Sequence, residues 1–178
     1  AGTLTVEAVD YEGTYDGATH EGGATPSVTD RTTIQYSVDD GATWTETVPS
    51  ITNVGTVSYK VKATNPNYED ATDDGTLKVN PKPVKVTAND VTKVYDGNPA
   101  ETNGVSVEGL LGADTVEYTV AFAVEDITNV QETEEAVSAS GEATQGNYTV
   151  TYVSGKLTIT KAGTLTVEAV DYEGTYDG

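Results

Sequence analysis

Residues 4–17 read LTVEAVDYEGTYDG, and the opening of this stretch decides the fold class. Leu4, Val6 and Ala8 alternate with polar neighbours. A period of two is typical of a β-strand with one buried face, because successive side chains point to opposite sides of the sheet. Residues 84–97, VKVTANDVTKVYDG, repeat the pattern, so the sequence predicts equivalent strands in two related segments.

Each of these stretches ends in Tyr-Asp-Gly, a tripeptide that favours a turn. An Asp side chain accepts hydrogen bonds from the nearby backbone, and Gly adopts positive φ angles without steric cost. We expect the preceding tyrosine to anchor the turn in the core and to keep its hydroxyl in water. The residues predicted to form this structural turn motif are Tyr15, Asp16, Gly17, Tyr95, Asp96 and Gly97.

The chain repeats itself at two levels. Its 178 residues begin and end with the same 17 residues, AGTLTVEAVDYEGTYDG, and a diverged repeat relates its two halves. We therefore divide it into module A (1–81), module B (82–161) and the start of a further module A (162–178), called the repeat tail below. The first link, NPKPV at 80–84, contains two prolines that restrict φ, so we expect a stiff connection. The repeat tail is too short to fold alone, so we expect it either to fray or to be ordered by contact with module B or with the N-terminus of a neighbouring molecule.

The remaining strands are predicted from further alternating stretches. Residues 34–48 and 68–79 are each expected to form a hairpin in module A, and Trp44 is expected to pack in the core. Residues 116–124 give the longest alternation in module B. Three Gly-containing pairs are predicted to turn the chain: Asp40-Gly41, Asp74-Gly75 and Ser154-Gly155.

The number of short strands favours an all-β fold of tandem modules. Each module offers roughly six or seven strands in about 80 residues, which is typical of a small immunoglobulin-like β-sandwich. A β-grasp-like module is the alternative, but it requires a helix. No window of the sequence shows apolar residues at helical spacing.

Charge and composition exclude several classes of function. The chain has 29 acidic against 9 basic residues, a formal net charge of −20. This balance argues against partners such as nucleic acids and anionic membranes, which require clustered Lys and Arg. The sequence contains no Cys, so disulfides and thiol chemistry are excluded. No long apolar stretch suggests direct membrane insertion.

No catalytic, cofactor or metal site is predicted, although calcium remains an alternative. His20 is the single histidine, which excludes a multi-histidine zinc site, and we expect it in an exposed loop. The acidic stretches at 38–41 and 70–75 place oxygen ligands close together, as Ca²⁺ requires. Turn chemistry alone also explains both stretches.

Several motifs together resemble a known family. The stretches VTKVYDGN, GLLGAD, ITNV and GNYTVTYVSGKLTI resemble YDG/MBG-type tandem repeats of large bacterial cell-surface, adhesin-like proteins. Module B departs from the pattern where Gln131 replaces the glycine found at Gly55, so we expect a different turn geometry there. The resemblance implies an extracellular location, attachment to the cell surface or cell wall through other regions, and no enzymatic activity.

These observations lead to two hypotheses of function. The first is a structural stalk or spacer for cell adhesion, in which the partners of each repeat are its neighbours in the chain. The alternative is a repeat that binds a host glycoprotein, glycan, mucin or immunoglobulin and gains avidity from repetition.

Overall fold

The computed structural model describes residues 2–178, and all regular elements in that range are β-strands. It contains no helix there that could cross a membrane. The prediction of an all-β sandwich is confirmed, and the helix that the β-grasp alternative requires is missing from the described residues. Contacts divide the chain into two compact units: unit 1 with Ala1–Val86, Val107–Glu117 and Gly141–Thr151, and unit 2 with Thr87–Ser106, Tyr118–Ser140 and Tyr152–Gly178.

Unit 1 contains eight strands before the first proline link. They are β1 (Val6–Ala8), β2 (Tyr11–Thr14), β3 (His20–Glu21), β4 (Ala24–Pro26), β5 (Thr33–Ser37), β6 (Ser50–Ile51), β7 (Gly55–Asn65) and β8 (Tyr68–Asn80). One four-stranded sheet has the order β2-β8-β7-β5, and two short ladders pair β1 with β4 and β3 with β6. The β2–β8 pair is parallel, whereas β7 is antiparallel to both β5 and β8.

The core of unit 1 lies between the large sheet and the short ladders. Its buried residues come from both layers: Leu4, Val6, Tyr36, Ile51, Tyr59, Val61, Ala63, Leu77 and Val79. The predicted inward faces of residues 4–8 and 57–63 are therefore confirmed. Burying these faces from two sides is the defining feature of a sandwich.

Tyr59 is held in a slot between two glycines of unit 1. It is the cross-strand neighbour of Gly75, and a Cβ on Gly75 would overlap the Tyr59 Cζ. A Cβ on Gly22 would lie 2.8 Å from the same atom. The Tyr59 hydroxyl donates to the Val9 carbonyl and accepts the Gly23 amide at 3.2 Å. The ring is thus in close approach to both glycines, and its hydroxyl is hydrogen-bonded to the backbone.

This slot overturns the predicted hairpin around Asp74-Gly75. Strand β8 runs without a break through both residues, and the chain reverses earlier, between β7 and β8. Gly75 is needed because a tyrosine ring approaches its Cα across the ladder, not because the backbone turns there.

The predicted hairpin over residues 34–48 is also wrong in its second half. The turn at Asp40-Gly41 is present, with φ angles of 59° and 90°. The return strand is reduced to one bridge between Tyr36 and Thr45. Trp44 is half-buried beneath the Lys62 ammonium, 4.3 Å from the ring centroid, so it packs against a cation on the sheet surface.

The remaining strands follow the proline link. They are β9 (Lys82–Ala88), β10 (Val91–Val94), β11 (Val105–Glu108), β12 (Thr119–Phe122), β13 (Gln131–Ser140), β14 (Thr144–Gln145), β15 (Tyr148–Val153) and β16 (Gly155–Thr160). Two sheets have the orders β10-β16-β13-β12 and β11-β9-β15-β14. The predicted long strand over 116–124 shrinks to β12, with Tyr118 exposed. The predicted turn at Ser154-Gly155 is not a hairpin, since β16 has β10 and β13 as its sheet neighbours.

Unit 2 has its own apolar core. The buried residues are Ala88, Val91, Ala100, Ala136, Val137, Leu157 and Ile159, with Val120 and Phe122 packed against them. Strand β13 changes register against β16 between Thr133 and Val137, and Glu135 lies there with a φ of 55°. This bulge brings Ala136 and Val137 side by side into the core.

The repeat tail, residues 162–178, forms no strand and packs against nothing that would bury it. Leu165 and Val167 are each 92% exposed, whereas the equivalent Leu4 and Val6 are 4% and 7% exposed. Of the expected alternatives, ordering by contact with module B is not the one that the structure shows. The strands that bury residues 4–14 in the first copy are β4, β7 and β8.

The glycine slot predicts the effect of adding one methyl group. Gly75→Ala should lower the free energy of unfolding of unit 1 by about 1–3 kcal/mol, because Tyr59 cannot retreat from the new Cβ. Urea unfolding followed by the fluorescence of Trp44, the single tryptophan, measures this. Gly163→Ala is the control, since no atom lies within 4 Å of its Cβ position. Equal midpoints for both variants would contradict the slot.

Candidate functional site

Three hydrogen bonds join distant parts of the sequence within unit 1 at Asn147, which meets residues 53–54 and Lys82. The Asn147 side-chain oxygen accepts the Val54 amide at 2.8 Å, and its side-chain nitrogen donates to the Asn53 oxygen at 3.2 Å. The Asn147 backbone carbonyl accepts the Lys82 amide at 3.0 Å. Asn147 therefore ties the loop before β7 to the start of β9. We call this contact, together with the Tyr148 contacts described next, the junction site.

Tyr148 contributes a buried aromatic ring and a hydrogen-bonded hydroxyl to the junction site. It is buried, and its hydroxyl donates to the Asp114 carboxylate while it accepts the Leu111 amide at 3.1 Å. Burial raises the pKa of the Tyr148 phenol, and the hydrogen bond to Asp114 raises it further. The phenol therefore stays protonated at neutral pH and acts as a fixed donor. It holds the loop of GLLGAD, residues 109–114, in place.

The first Tyr-Asp-Gly motif meets Tyr148 directly. The Tyr15 ring packs edge-on against the Tyr148 ring, with centroids 5.7 Å apart and an interplanar angle of 85°. Asp16 accepts the Ala18 amide at 2.9 Å, and Gly17 has a φ of 76°. The turn thus directs Tyr15 toward the junction site.

His20 is not in a free loop as expected. It begins β3 and stacks on the Tyr11 ring at 4.0 Å between centroids. Its Nε2 lies 3.0 Å from the Asp16 carboxylate, and this hydrogen bond is the main cause that lowers the pKa of Asp16. His20 therefore stabilises the Tyr-Asp-Gly turn through its hydrogen bond to Asp16.

The second Tyr-Asp-Gly motif has the same backbone but a different environment. Asp96 accepts the Asn98 amide at 2.9 Å, and Gly97 has a φ of 79°. Lys93 donates to Asp96 at 2.8 Å and lowers the pKa of that carboxyl. Tyr95, however, is 39% exposed, so the expectation that it anchors in the core is wrong. Tyr15, by contrast, packs against the Tyr148 ring of module B.

The loop that binds Asn147 differs between modules, as the sequence predicts. Gly55 has a φ of 153°, whereas Gln131, at the equivalent position, has no positive φ. The Gln131 side chain instead donates to the carbonyls of Asp126 and Asn129 at 2.7 and 3.2 Å. In module B the Gln131 side chain therefore bridges backbone carbonyls of the loop, whereas in module A the glycine at this position adopts a positive φ.

In the acidic stretches considered for calcium, several carboxylates are hydrogen-bonded or ion-paired with other groups of the protein. Asp39 accepts hydrogen bonds from Ser37 and Thr43, and Asp73 accepts the Ala8 amide at 2.8 Å. Lys60 pairs with Asp74 at 2.9 Å and with Asp40 at 3.6 Å, at the edge of an open groove of about 550 Å³. Within residues 2–178, no three His, Asp or Glu side chains are grouped as metal ligands.

Two comparisons with known proteins concern family and fold. The family model of the MBG domain, YGX type, matches residues 84–158. The resemblance to MBG-type repeats is confirmed over module B. The MBG match contains Tyr95, Asp96 and Gly97 as well as Asn147 and Tyr148, so it includes both the second turn motif and half of the junction site. No curated protein matches the chain.

Similar solved structures include two multidomain fragments. A three-immunoglobulin-domain fragment of titin, a Glu-to-Ala variant, is 12% identical with a TM-score of 0.30 and covers 89% of this chain. Cadherin domains 1–4 of protocadherin gamma B7 are 9% identical with a TM-score of 0.28 and cover 90%. The chain spans 64% and 51% of their lengths.

The sequence alone did not single out Asn147, Tyr148 and Asp114 as a site. Two signals were present: the pair Asn-Tyr occurs at 67–68 and at 147–148, and GLLGAD is part of the MBG resemblance. Their meeting with residues 15 and 53–54 could not be predicted, because the contacts join positions more than ninety residues apart.

The junction site predicts different effects for two equivalent asparagines. Asn147→Ala should destabilise unit 1 by about 1–2 kcal/mol, since it leaves the Val54 amide without its acceptor. Asn67→Ala removes the same residue from module A, where its side chain is exposed, and should change stability by less than about 0.5 kcal/mol. Urea unfolding with Trp44 fluorescence measures both. A smaller effect at 147 than at 67 would contradict the junction site.

Asp39 predicts an acid-sensitive loop between β5 and β6. The Thr43 hydroxyl, followed by the Thr43 amide and the Ser37 hydroxyl, lowers the pKa of Asp39 from 3.8 to about 2. A folded pKa below the unfolded value means that ionised Asp39 stabilises the fold above about pH 4 and that this contribution is lost toward about pH 2. Asp39→Asn should therefore reduce the slope of unfolding midpoint against pH in that range. A carboxyl-carbon NMR titration of Asp39 centred near its unperturbed value would contradict this.

Proposed function

We propose that this chain is a structural spacer, part of the tandem-repeat stalk of an extracellular bacterial surface adhesin, and that it has no catalytic role. The observation that carries the proposal is the junction site, in which Asn147 and Tyr148 of module B hold the loop and turn of module A. A stalk must keep its modules in fixed relative positions along its length, and a fixed contact at each module boundary would do so.

The residues of the junction site recur in both modules, which supports a repeated contact. Each module carries the receiving residues, in its Tyr-Asp-Gly turn and its ITNV stretch, and the presenting pair Asn-Tyr. Tyr95 and Asn129 are the receiving residues of module B, whereas Asn67 and Tyr68 are the presenting residues of module A. A chain of such modules can place a contact of this kind at each boundary, with the different loop geometry that Gln131 gives module B.

The negative charge of the chain would keep copies apart where many of them stand side by side on a cell surface. A net charge of −20 makes parallel copies repel one another. Lys60, whose pKa is raised by the hydrogen bond to Asp74, stays charged and pairs with carboxylates of its own module. Repulsion between copies therefore lowers the tendency of exposed strand edges to associate.

A spin-label experiment tests whether the junction site fixes its two halves. The chain has no native cysteine, so Glu46→Cys and Glu108→Cys, both exposed and both in unit 1, label it specifically. We expect one narrow distance distribution by double electron–electron resonance. Adding Asn147→Ala should broaden it, and adding Asn67→Ala should leave it narrow. A broad distribution in the parent double-cysteine chain would contradict a fixed contact.

Binding measurements separate the spacer from the alternative function. Immobilised mucin glycans, host glycoproteins and immunoglobulins should retain none of the chain at physiological salt. Saturable retention of any of them would contradict the spacer and support a binding repeat that acts by avidity.

A further inference from the structure

Each module has a strand near its start that runs parallel to the strand at its end. In module A, β2 pairs with the end of β8, where Tyr11 lies opposite Leu77. In module B, β10 pairs with β16 in the same way, and Val91 lies opposite Leu157. Each ladder contains four residue pairs, and we call each of them a clamp.

Both clamps begin with a hydrogen bond from a backbone amide to an aspartate. The Asp10 carboxylate accepts the Thr76 amide at 2.8 Å, and the Asp90 carboxylate accepts the Lys156 amide at 2.8 Å. The two bonded residues are 66 positions apart in each case. The two modules therefore build the same first bond at the same place.

Both clamps end at a Tyr-Asp-Gly turn. The Tyr15 amide donates to the Asn80 carbonyl at 2.8 Å, and the Tyr95 amide donates to the Thr160 carbonyl at 2.8 Å. Each clamp thus extends from the aspartate before its first strand to the tyrosine after that strand.

The inner face of each clamp lies against an apolar core. Leu77 and Leu157 are fully buried, and Val79 and Ile159 are 3% and 1% exposed. Hydrogen bonds beside such a core are stronger than bonds in open solvent, because the local dielectric constant is lower. The core therefore strengthens the backbone ladder that borders it.

The parallel arrangement determines how tension along the chain loads a clamp. The chain enters at the start of β2 or β10 and leaves at the end of β8 or β16, so a pull on both sides moves the paired strands in opposite directions along their axes. The evenly spaced bonds of a parallel ladder then share the load. A pull that separates the two strands at one end instead breaks the same bonds one after another.

We propose that each module bears tension along the chain by shear of its clamp, in which the bond to Asp10 or Asp90 shares the load. Strands β2 and β10 are edge strands of their sheets, each joined there to the other strand of its clamp. The strands that lie between the two clamp strands in the sequence therefore carry load only after the clamp breaks. This property belongs to each module by itself and does not depend on the spacer role proposed above.

Pulling the full chain in two directions tests the proposal in module A. The chain has no native cysteine, so pairs of cysteines introduced at exposed positions attach the handles of an optical tweezers instrument. Thr3→Cys with Pro81→Cys applies force before β2 and after β8, which loads the clamp in shear. Ala18→Cys with Pro81→Cys applies force at the Tyr15 end alone and peels the same clamp open.

We expect the rupture force in shear to be at least about threefold the force in peeling at the same loading rate, because several bonds must break together. The shear event should lengthen the tether by about 25 nm, the length of residues 11–80 extended at about 3.6 Å per residue. Release of β1 from the short β4 comes before it and lengthens the tether only slightly. Equal rupture forces in the two directions would overturn the proposal, and this comparison needs no substitution within the clamp.

The aspartate of the clamp provides a second test with a matched control. Asp10→Ala removes the first bond, and we expect it to lower the shear force by about a fifth or more. The peeling force should not change, because peeling starts at the other end, at the bond between Tyr15 and Asn80. Glu46→Ala removes an exposed carboxylate outside the clamp and should change neither force. An Asp10→Ala chain with native Trp44 emission would overturn the proposal if its shear force were unchanged, or lowered in the same proportion as its peeling force.

Discussion

The fixed Tyr59 ring is the constraint on which the structure of unit 1 depends. Gly22 and Gly75 leave room for the ring, and its hydroxyl bonds the backbone of Val9 and Gly23. Burial is the first cause that raises the pKa of this phenol, so the hydroxyl remains a donor over the physiological range. One side chain therefore joins the large sheet to the N-terminal segment. Because this bond is made to a backbone carbonyl, it depends on the position of the N-terminal backbone and not on a side chain there. The side chains of Leu4 and Val6 supply the apolar contact.

The junction site works by the same combination of one aromatic ring and backbone hydrogen bonds. Tyr148 supplies the buried ring, and Asn147 bonds the Val54 amide and the Lys82 amide with different oxygens. Tyr15 belongs to both arrangements, since it packs on the core of unit 1 and touches the Tyr148 ring. The Tyr-Asp-Gly turn is thus more than a chain reversal. It places the Tyr15 ring in contact with both the core of unit 1 and the Tyr148 ring.

Strand alternation was sufficient to predict the inner faces of residues 4–8 and 57–63, because burial on one side of a sheet imposes a period of two, but it overextended the strand over 116–124, where Tyr118 is exposed. It failed where a glycine had two possible reasons to be present. Asp74-Gly75 has the sequence of a turn, yet Gly75 lies in the middle of β8 beneath Tyr59. Asp40-Gly41 has the same sequence and does turn the chain. Only the cross-strand partner distinguishes the two cases, and it lies sixteen residues away in β7, so no local pattern contains it. The junction site was not predicted for the same reason, since its contacts join residues that are even farther apart in the sequence.

The amide of Val54 reports on the central claim that Asn147 fixes a loop of module A. Its N–H lies in a loop before β7, and its acceptor is the Asn147 side chain at 2.8 Å. We expect hydrogen exchange of this amide to be about hundredfold or more slower than in an unstructured peptide, comparable to the amides of β7. Exchange of Val54 at the rate of a free loop amide, in a chain whose β7 amides are protected, would contradict the account.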